Sequence, residues 1–264
     1  MVSAKELEIN CDKIERKITE FIAENVKKAG LKGAVVAVSG GLDSAVALTL
    51  TVKALGPEGV TAVTLPDRDA TPERDIMDVM QHCKSLGVTC NTLDITPILH
   101  VIRETLPLYD ASDHVSSGNV KARVRMVAVY HYANRLCRMV MGTSNKSELL
   151  TGFFTKHGDG GVDLMPMADL YKTQVRQLAR HLKVSESILR KRPSPNLYPG
   201  QTAEGELGID YATLDLVLLS LDKGADPGKI AEDLNITLEQ VEAIRRRVKA
   251  NEHKRRPPLI LRLT

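Results

Sequence analysis

The segment Ser39-Gly40-Gly41-Leu42-Asp43-Ser44 combines residue types that can bind a phosphate group. It lies between an apolar run at 34–38, which predicts a buried strand, and a stretch at 45–50 that predicts the first turns of a helix. The glycine pair lets the backbone approach a bulky anion closely, and the unpaired N–H groups at the helix start then hold that anion. The two serines add hydroxyl donors, and Asp43 adds a carboxylate where a phosphate-bound Mg²⁺ would lie. We therefore predict a phosphate-binding loop.

Two common phosphate-binding patterns do not fit this segment. The Walker A pattern requires a lysine that is absent, and the G-x-G-x-x-G pattern of dinucleotide-binding proteins is absent too. The segment instead resembles the SGGxDS pyrophosphate loop of enzymes that cleave ATP between its α and β phosphates. A glycine-rich turn with a serine cap is the structural alternative. The strand before the segment and the Asp-Ser pair at its end favour nucleotide binding.

A second polar segment, 142–148, follows an apolar run that predicts another strand. Because parallel strands end at the same edge of a sheet, we expect this segment beside the phosphate loop. Glu148 can then reach a metal ion opposite Asp43, although an exposed helix carboxylate is the alternative. The segment 151–164 is rich in glycine and charge and suits a ligand-binding loop. Lys172 opens the next helix, where an ammonium group could neutralise phosphate charge.

The elements that must position these residues alternate along the chain. Strands are predicted at 34–38, 60–65, 88–95 and 138–142. Helices are predicted at 5–29, 44–55, 72–86 and 118–135. This alternation predicts an α/β fold, with a Rossmann-like parallel sheet that has helices on both faces. From about residue 211 only helical patterns remain. We therefore predict one domain over 1–264, with an α/β nucleotide-binding core at 1–210 and a C-terminal helical appendage at 211–264.

Two segments of the sequence each fit two different structural roles. The helix at 118–135 has apolar side chains on two faces, which predicts burial on two sides. A partner subunit and a central core position explain this pattern equally well. The stretch 192–206 is rich in proline and glycine without apolar periodicity, which predicts a mobile loop. It could be a lid that closes over substrate or a surface linker.

Composition narrows the class of protein. The chain has 264 residues, 43% of them hydrophobic and 26% charged, which is ordinary for a globular protein. A formal net charge of +3, no Trp and 3% aromatic residues argue against nucleic acid and membrane partners. The N-terminus lacks a signal-peptide pattern, and no run approaches the ~18 apolar residues of a membrane span. Four cysteines without a C-x-x-C motif fit reduced thiols, so we expect a cytoplasmic protein without a zinc site.

Four motifs together carry a resemblance to a known family. They are, in chain order, SGGLDS, GTSNKSELLTGFFTKHGDGGVDLMPMADLYKTQVRQLA, ELGIDY and EHKRRPP. In this order and spacing they resemble NAD⁺ synthetases, from about residue 10 to the C-terminus. The chain has no room for a nitrilase-like glutaminase domain, so it resembles the ammonia-dependent form. The resemblance implies that ATP adenylates the nicotinate carboxylate of deamido-NAD⁺ with release of pyrophosphate, and that ammonia then displaces AMP. It also implies Mg²⁺ as cofactor and a homodimer.

The resemblance also assigns roles to individual residues. The ATP-binding residues that it implies are Ser39, Gly40, Gly41, Leu42, Asp43, Ser44, Ala45, Val46, Thr143, Lys172 and Ser194. Those implied for deamido-NAD⁺ are Arg123, Lys156, Asp163, His253 and Lys254. Asp43 and Glu148 are the implied Mg²⁺ ligands. Asp159 and Lys172 are the implied catalytic residues, with Asp159 at the ammonia site, where it could hold NH₄⁺ and help take its proton.

Some features depart from the family or suggest other functions. The loop at 65–73 lacks the glutamine-rich sequence of many bacterial members, so we assign no adenine contact to it. The segment 230–247 resembles a DNA-binding helix-turn-helix with an arginine-rich second helix. That helix begins with Glu239 and Glu242 where base-reading side chains would lie, so a packed helical pair is the better interpretation. A nucleotide-binding regulator without turnover, and relatives that amidate xanthosine monophosphate or add sulfur to tRNA, are the remaining alternatives.

Overall fold

A four-stranded parallel sheet forms the centre of the fold. The computed structural model describes residues 3–198 and 200–263. Within them the strands are β1 (Ala34–Ala37), β2 (Val60–Thr64), β3 (Cys90–Thr92) and β4 (Met139–Met141). Their order in the sheet is β3-β2-β1-β4. Each observed strand falls within a predicted one, so the prediction of a parallel sheet is confirmed.

The helices connect these strands and continue after the sheet. The α-helices are α1 (Cys11–Lys28), α2 (Leu42–Leu55), α3 (Glu73–Ser85), α4 (Thr96–Thr105), α5 (His114–Leu136), α6 (Lys146–Thr151), α7 (Lys172–His181), α8 (Glu186–Leu189), α9 (Ala203–Leu207), α10 (Tyr211–Asp222), α11 (Pro227–Leu234) and α12 (Leu238–Ala250). Short 3₁₀ turns occupy Ala4–Leu7, Pro57–Gly59 and Glu252–Lys254. The first predicted helix begins later than expected because Asn10 caps α1 by accepting a hydrogen bond from the Lys13 amide. Helix α4 was missing from the predicted elements.

Successive residues of β1 point to opposite faces of the sheet, as the pleat requires. Val36 packs with α1, α2 and α7 in one core, whereas Val35 packs with α4 and α5 in another. Both valines are fully buried. The predicted coverage of both faces is therefore confirmed. The β2 and β4 strands flank β1 on opposite sides, so the direction of winding reverses at β1. In open α/β sheets, ligands bind at the carboxyl ends of the strands at such a reversal.

The last helices form a third apolar cluster beside the sheet. Leu214 and Leu218 of α10 pack there with Val241 and Ile244 of α12. Helices α11 and α12 pack against each other as a helical pair, and Thr237 caps α12 by accepting a hydrogen bond from the Gln240 amide. The predicted packed pair is thus present. Its division from the core as an appendage at 211–264 remains a prediction.

Helix α5 was predicted to be buried on two sides, either in the core or against a partner subunit, and the structure accounts for only one of its two apolar faces. Its residues Val129 and Ala133 are buried against the sheet, as a core helix requires. Val127 lies on another face of the same helix and is 63% exposed in this single chain. Ile98 and Val101 of the neighbouring α4 are also exposed. No helix in the described ranges is long and apolar enough to cross a membrane.

Candidate active site

The predicted phosphate loop turns sharply between β1 and α2. Gly40 has φ +80°, and a Cβ at this position would lie 2.6 Å from the backbone oxygen of Asp75. Only glycine fits both the conformation and the space. The Ser44 hydroxyl donates to the Gly41 carbonyl at 3.0 Å and accepts from the Ser39 amide at 3.1 Å. The serines therefore hold the turn in shape, with the free N–H groups of the α2 N-terminus beside it.

A large cavity opens at the carboxyl edge of the sheet, directly above this loop. Its volume is about 920 Å³, near the upper end of the range for small-molecule sites. The sequence-predicted residues that line it are Ser39, Gly40, Gly41, Leu42, Asp43, Ser44, Thr143, Glu148, Asp159, Lys172, Ser194 and Lys254. The cavity lies at the reversal in strand order, between the ends of β1 and β4. Residues from distant parts of the chain thus meet at one site.

Two carboxylates and an ammonium group form a cluster at the end of the phosphate loop. The Nζ atom of Lys172 pairs with Oδ2 of Asp43 and lies 3.4 Å from Oε1 of Glu148. Asn145 donates to Oδ1 of Asp43 at 2.9 Å, and its own Oδ1 caps α6 by accepting from the Glu148 amide. Lys172 also lies over the ring of Tyr211, 5.2 Å from the ring centre. The first turns of α2, α6 and α7 therefore bring these groups together.

The charges in this cluster perturb one another. Burial and the neighbouring charge of Asp43 raise the pKa of Glu148 to about 7. Burial disfavours the charged form of Lys172, but the carboxylates of Asp43 and Glu148 outweigh it and raise the pKa of this lysine. When both carboxylates are ionised, the cluster carries more negative than positive charge. It therefore favours the approach of a further cation.

The carboxylate pair fits Mg²⁺ by its chemistry. Asp43 and Glu148 offer hard oxygen ligands beside the phosphate loop, and Mg²⁺ in nucleotide sites commonly takes one or two carboxylates plus phosphate oxygens and water. Among the described residues, no group of three or more His, Cys, Asp or Glu side chains could hold a metal by itself. A metal bound here would therefore depend on phosphate oxygens for its remaining ligands.

Asp159 lies across the cavity on a tight loop. Its Oδ1 accepts a hydrogen bond from the Thr155 amide at 2.8 Å, so the side chain also shapes the turn, as aspartate side chains often do. Thr155 in turn donates to Asn119 of α5 at 2.7 Å. The Asp159 side chain remains exposed to the cavity. Desolvation by the surrounding cavity walls raises the pKa of Asp159.

Most residues assigned to deamido-NAD⁺ lie outside the cavity wall in this single chain. Arg123 donates to the Lys156 carbonyl at 3.3 Å, and the Lys156 ammonium donates to the His253 carbonyl at 2.9 Å. These three residues therefore form one contiguous group at the surface. Asp163 accepts from the Tyr130 hydroxyl at 3.0 Å and from the Val140 amide at 2.8 Å. Its carboxylate thus anchors the loop before it to β4.

Lys254 is the exception, because it forms part of the cavity wall. Its Nζ atom donates to the carbonyls of Gly152 and Phe154 at 2.8 and 3.1 Å, and burial lowers the pKa of Lys254. Among the residues assigned to ATP, Ala45 and Val46 are fully buried inside α2. They can therefore face a ligand only through their backbone.

Sequence reasoning missed the residues that hold the 192–206 segment over the cavity. Lys191 donates to the Gly40 carbonyl at 2.9 Å and pairs with Asp75 and Asp78, each at 2.6 Å. It thereby links the phosphate loop to the start of this segment. Within the surrounding Arg-Lys-Arg run, no sequence signal distinguishes Lys191 from its neighbours.

A second lysine holds the same segment from α5. Lys121 pairs with Asp67 at 2.5 Å and donates to the Leu197 carbonyl at 2.8 Å. The ring of Tyr198 stacks on His114, with centres 4.4 Å apart. The Ser194 hydroxyl donates to the Gln201 carbonyl at 2.6 Å. The described residues of the segment, 192–198 and 200–206, therefore contribute a hydrogen-bonded wall of the cavity, and their closing motion remains a prediction.

The fold and the site define a Rossmann-like α/β nucleotide-binding protein with its phosphate loop between the first strand and the following helix. The NAD synthase family model matches residues 14–258. The chain belongs to this family.

Individual relatives agree with this assignment. The chain is 45% identical over 247 residues to the NH(3)-dependent NAD(+) synthetase of Methanosarcina acetivorans, covering 94% of this chain and 96% of the relative. The structure of an NMN synthetase from Francisella tularensis is similar with a TM-score of 0.85 and 31% identity, covering 96% of this chain and 99% of the other. The NH3-dependent NAD synthetase from Campylobacter jejuni has a TM-score of 0.82 and 28% identity, with coverages of 97% and 100%.

Proposed function

We propose that the chain converts deamido-NAD⁺, ATP and ammonia into NAD⁺, AMP and pyrophosphate. One observation carries this proposal. The phosphate loop, the carboxylate–lysine cluster and Asp159 all line one cavity in a chain of the NAD synthase family. Curated relatives at 41–46% identity over nearly the whole chain bear the name NH(3)-dependent NAD(+) synthetase, which supports ammonia as the nitrogen donor.

In the first step, a nicotinate carboxylate oxygen attacks the α-phosphorus of ATP. The new O–P bond forms as the bond to the β-phosphate oxygen breaks, and pyrophosphate leaves with the electron pair. The amides of the phosphate loop and the hydroxyl of Ser39 would hold the β and γ phosphates, and Lys172 would neutralise charge. Ser44 would support the loop, and Thr143 and Ser194 would contact the rest of ATP. Catalysis here consists of positioning and charge stabilisation.

Mg²⁺ is part of this proposal. Asp43 and Glu148 would hold the ion at the end of α2, in reach of phosphate oxygens. When bound, Mg²⁺ supplies positive charge to the phosphate oxygens. The excess negative charge of the cluster supports this role, because Lys172 alone does not balance two ionised carboxylates.

In the second step, ammonia attacks the activated carbonyl carbon. The C–N bond forms, the bond from carbon to the AMP oxygen breaks, and the nitrogen loses a proton. Asp159 would take that proton. Where ammonium enters instead of ammonia, Asp159 would first hold the ion and take the proton that it must lose before attack, and would pass this proton to solvent. Its exposure to the cavity and the raised pKa of its carboxyl group support this role, since a raised pKa makes the carboxylate a stronger base.

The dinucleotide end of the substrate would bind at the cavity rim. Of the residues assigned to it, Lys254 lines the cavity of the single chain, and the others are each next in sequence to a lining residue. These others are Arg123, Lys156, Asp163 and His253. A second copy packed on the exposed apolar residues of α4 and α5 would extend this rim, so we propose a homodimer. Sedimentation velocity at micromolar concentration tests it, and a monomer would contradict it. A cytoplasmic location is proposed because the reaction consumes ATP.

A second candidate substrate is nicotinate mononucleotide. The similarity to the Francisella tularensis NMN synthetase favours it, because that protein shares the fold over nearly its whole length. Deamido-NAD⁺ is the preferred substrate here because the curated relatives are more similar in sequence.

One assay tests both candidates. Purified protein is supplied with ATP, Mg²⁺ and ammonium, together with either deamido-NAD⁺ or nicotinate mononucleotide, and the amide product, AMP and pyrophosphate are quantified. We expect NAD⁺ with equal amounts of AMP and pyrophosphate. Faster turnover of the mononucleotide would reassign the substrate, and ADP with phosphate as products would refute the cleavage between α and β phosphates.

A further inference from the structure

The cationic side chains around the cavity differ in whether they have hydrogen-bond or ion-pair partners within the protein. Those that line it are Arg74, Arg125, Lys172, Arg176, Lys191, Arg192, Arg247 and Lys254. Arg74 and Arg192 are exposed to solvent, whereas the others are buried or half-buried. Burial of a charge is costly unless the charge is paired or hydrogen-bonded. The partner of each buried cation therefore indicates which ones are already satisfied by the protein.

Most of the less exposed cations have protein partners. Lys172 and Lys191 pair with carboxylates, as described above. Lys254 donates to two carbonyls, and Arg247 donates to the carbonyls of Thr151 and Glu206 at 3.2 and 3.1 Å. Arg125 donates through Nε to the Leu65 carbonyl at 3.1 Å. These side chains therefore already make hydrogen bonds or ion pairs within the protein.

Arg176 differs from all of them. It is half-buried in the cavity wall, yet within the described ranges its guanidinium makes no hydrogen bond or ion pair. A guanidinium has five N–H donors in a planar fork that matches the oxygens of a phosphate group. A half-buried, unpaired guanidinium facing a cavity therefore points to an anionic ligand from outside the chain.

The position of Arg176 indicates which anion this is. It lies one turn after Lys172 on α7, so both side chains share one face of the helix. Helical side chains lean toward the helix N-terminus, which directs Arg176 toward the cavity end of α7. Helix α7 packs along α2, whose N-terminus forms the phosphate loop. Arg176 is thus placed on the flank of the phosphate loop, beside Lys172.

The charge balance of the neighbouring carboxylate–lysine cluster explains why an additional cation at Arg176 would help to bind phosphate. Lys172 is already shared by two carboxylates, so it can neutralise only part of the charge of a polyphosphate. We propose that Arg176 binds the β and γ phosphates of ATP and, after cleavage, the pyrophosphate that they become. This proposal rests on the function proposed above, and it assigns a ligand to a residue that lies within the second motif but has no role in the predicted site.

The test compares two arginines of the same helix. Arg176→Gln removes the proposed phosphate contact, and Arg180→Gln, one turn further on the exposed part of α7, removes an equal charge at the surface. Calorimetric titration measures the affinity of each variant for inorganic pyrophosphate, for ATP and for AMP. Steady-state assays then measure KM for ATP and for deamido-NAD⁺. Thermal melts establish that each variant is folded.

We expect Arg176→Gln to weaken pyrophosphate and ATP binding by about tenfold or more, the usual size of a hydrogen bond to a charged group. AMP lacks the β and γ phosphates, so its affinity is expected to change by less than about twofold. Arg180→Gln is expected to match the wild type. Arg176→Lys, which keeps the charge but loses the fork, is expected to lie between wild type and Arg176→Gln.

Two outcomes overturn the proposal. One is that Arg176→Gln binds pyrophosphate as the wild type does. The other is that AMP affinity falls as much as pyrophosphate affinity, because the effect would then concern the α phosphate or the fold. If Arg176→Gln does not fold, Arg176→Lys decides through the same ratio. The binding titrations do not depend on turnover, so a wild type that binds pyrophosphate but forms no NAD⁺ would contradict the proposed function and leave this inference standing.

Discussion

The two sides of the cavity are built in different ways. On the phosphate side, six consecutive residues form a turn that its own serines hold in place, and Gly40 and Ser44 each have a local reason for their identity. On the opposite side, Asp159 depends on a loop that is tied to α5 through Thr155 and Asn119. The phosphate side is therefore a local motif, whereas the Asp159 side, the proposed ammonia site, is an assembly of segments far apart in the chain. A local motif can be recognised from sequence, but an assembly needs the fold.

The largest expected effect concerns the point where the two sides meet. Asp43→Asn and Glu148→Gln should each reduce NAD⁺ formation by at least about 100-fold, because each removes a proposed metal ligand and charge from the reacting phosphates. Circular dichroism should show an unchanged fold. Asp169→Asn, an exposed carboxylate near α7, is the control and should keep its activity. Near-normal turnover of either variant at low Mg²⁺ would remove that residue from the proposed ligands.

Asp159→Asn tests whether the two sides act independently. Adenylation requires no ammonia, so pyrophosphate release should persist while NAD⁺ formation falls by about 10²–10⁴-fold, the usual loss for a positioned proton acceptor. The loss should shrink at higher pH, where free NH₃ is more abundant and needs no deprotonation before attack. Rapid-quench measurement of pyrophosphate and NAD⁺ in the same samples separates the steps. Equal losses in both would show that Asp159 only shapes its turn.

Gly40→Ala tests how local the phosphate side is. The added Cβ would lie 2.6 Å from the Asp75 oxygen at φ +80°, so the loop must shift. We expect weaker ATP binding and a loss of about 1–3 kcal/mol in the free energy of unfolding. Gly224→Ala is the matched control, because it has φ +74° with no atom within 4 Å of the added Cβ. It should lose stability only and keep ATP affinity. Equal ATP affinity in both variants would contradict a strained phosphate loop.

The smallest effect on chemistry is expected at Lys121 of α5, which holds the 192–206 segment through the Leu197 carbonyl. Asp67→Asn leaves Lys121 buried without its charge partner, which should cost about 3–5 kcal/mol of unfolding free energy at pH 7. Although burial opposes ionisation of Asp67, its hydrogen bond with Lys121 and its other partners lower its pKa in the folded protein. The extra unfolding free energy of the wild type is therefore fully present above the pKa of an unfolded Asp, about 3.9. It is lost as the pH falls through the lower pKa that Asp67 has in the folded protein. Urea titrations between pH 7 and pH 2.5 measure it. A difference that does not depend on pH would exclude ionisation as its source.

The contrast between a local motif and an assembly of distant segments also explains which features could be predicted from the sequence. The apolar runs predicted the strands correctly, because a parallel sheet covered on both faces requires continuous apolar segments, as in Val35 and Val36. The phosphate loop was recognisable for the reasons given above. The roles of Lys191 and Lys121 were not, because each depends on acceptors far away along the chain. Gly40 lies 151 residues before Lys191, and Asp67 lies 54 residues before Lys121. Arg176 was missed because a residue without a partner has no pattern until the cavity around it is known.

The cavity depends on the end of the chain as well as its beginning. Tyr211, Arg247 and Lys254 line it, and Asp215 of α10 accepts hydrogen bonds from Ser147 at 2.5 Å and from the Thr173 amide at 2.8 Å. During synthesis, the phosphate loop leaves the ribosome some two hundred residues before these groups do. A nascent chain that already binds nucleotide phosphates would therefore lack the walls that align a second substrate. Competence for the reaction would therefore arise only after α10 and α12 have been synthesised and have packed beside the phosphate loop.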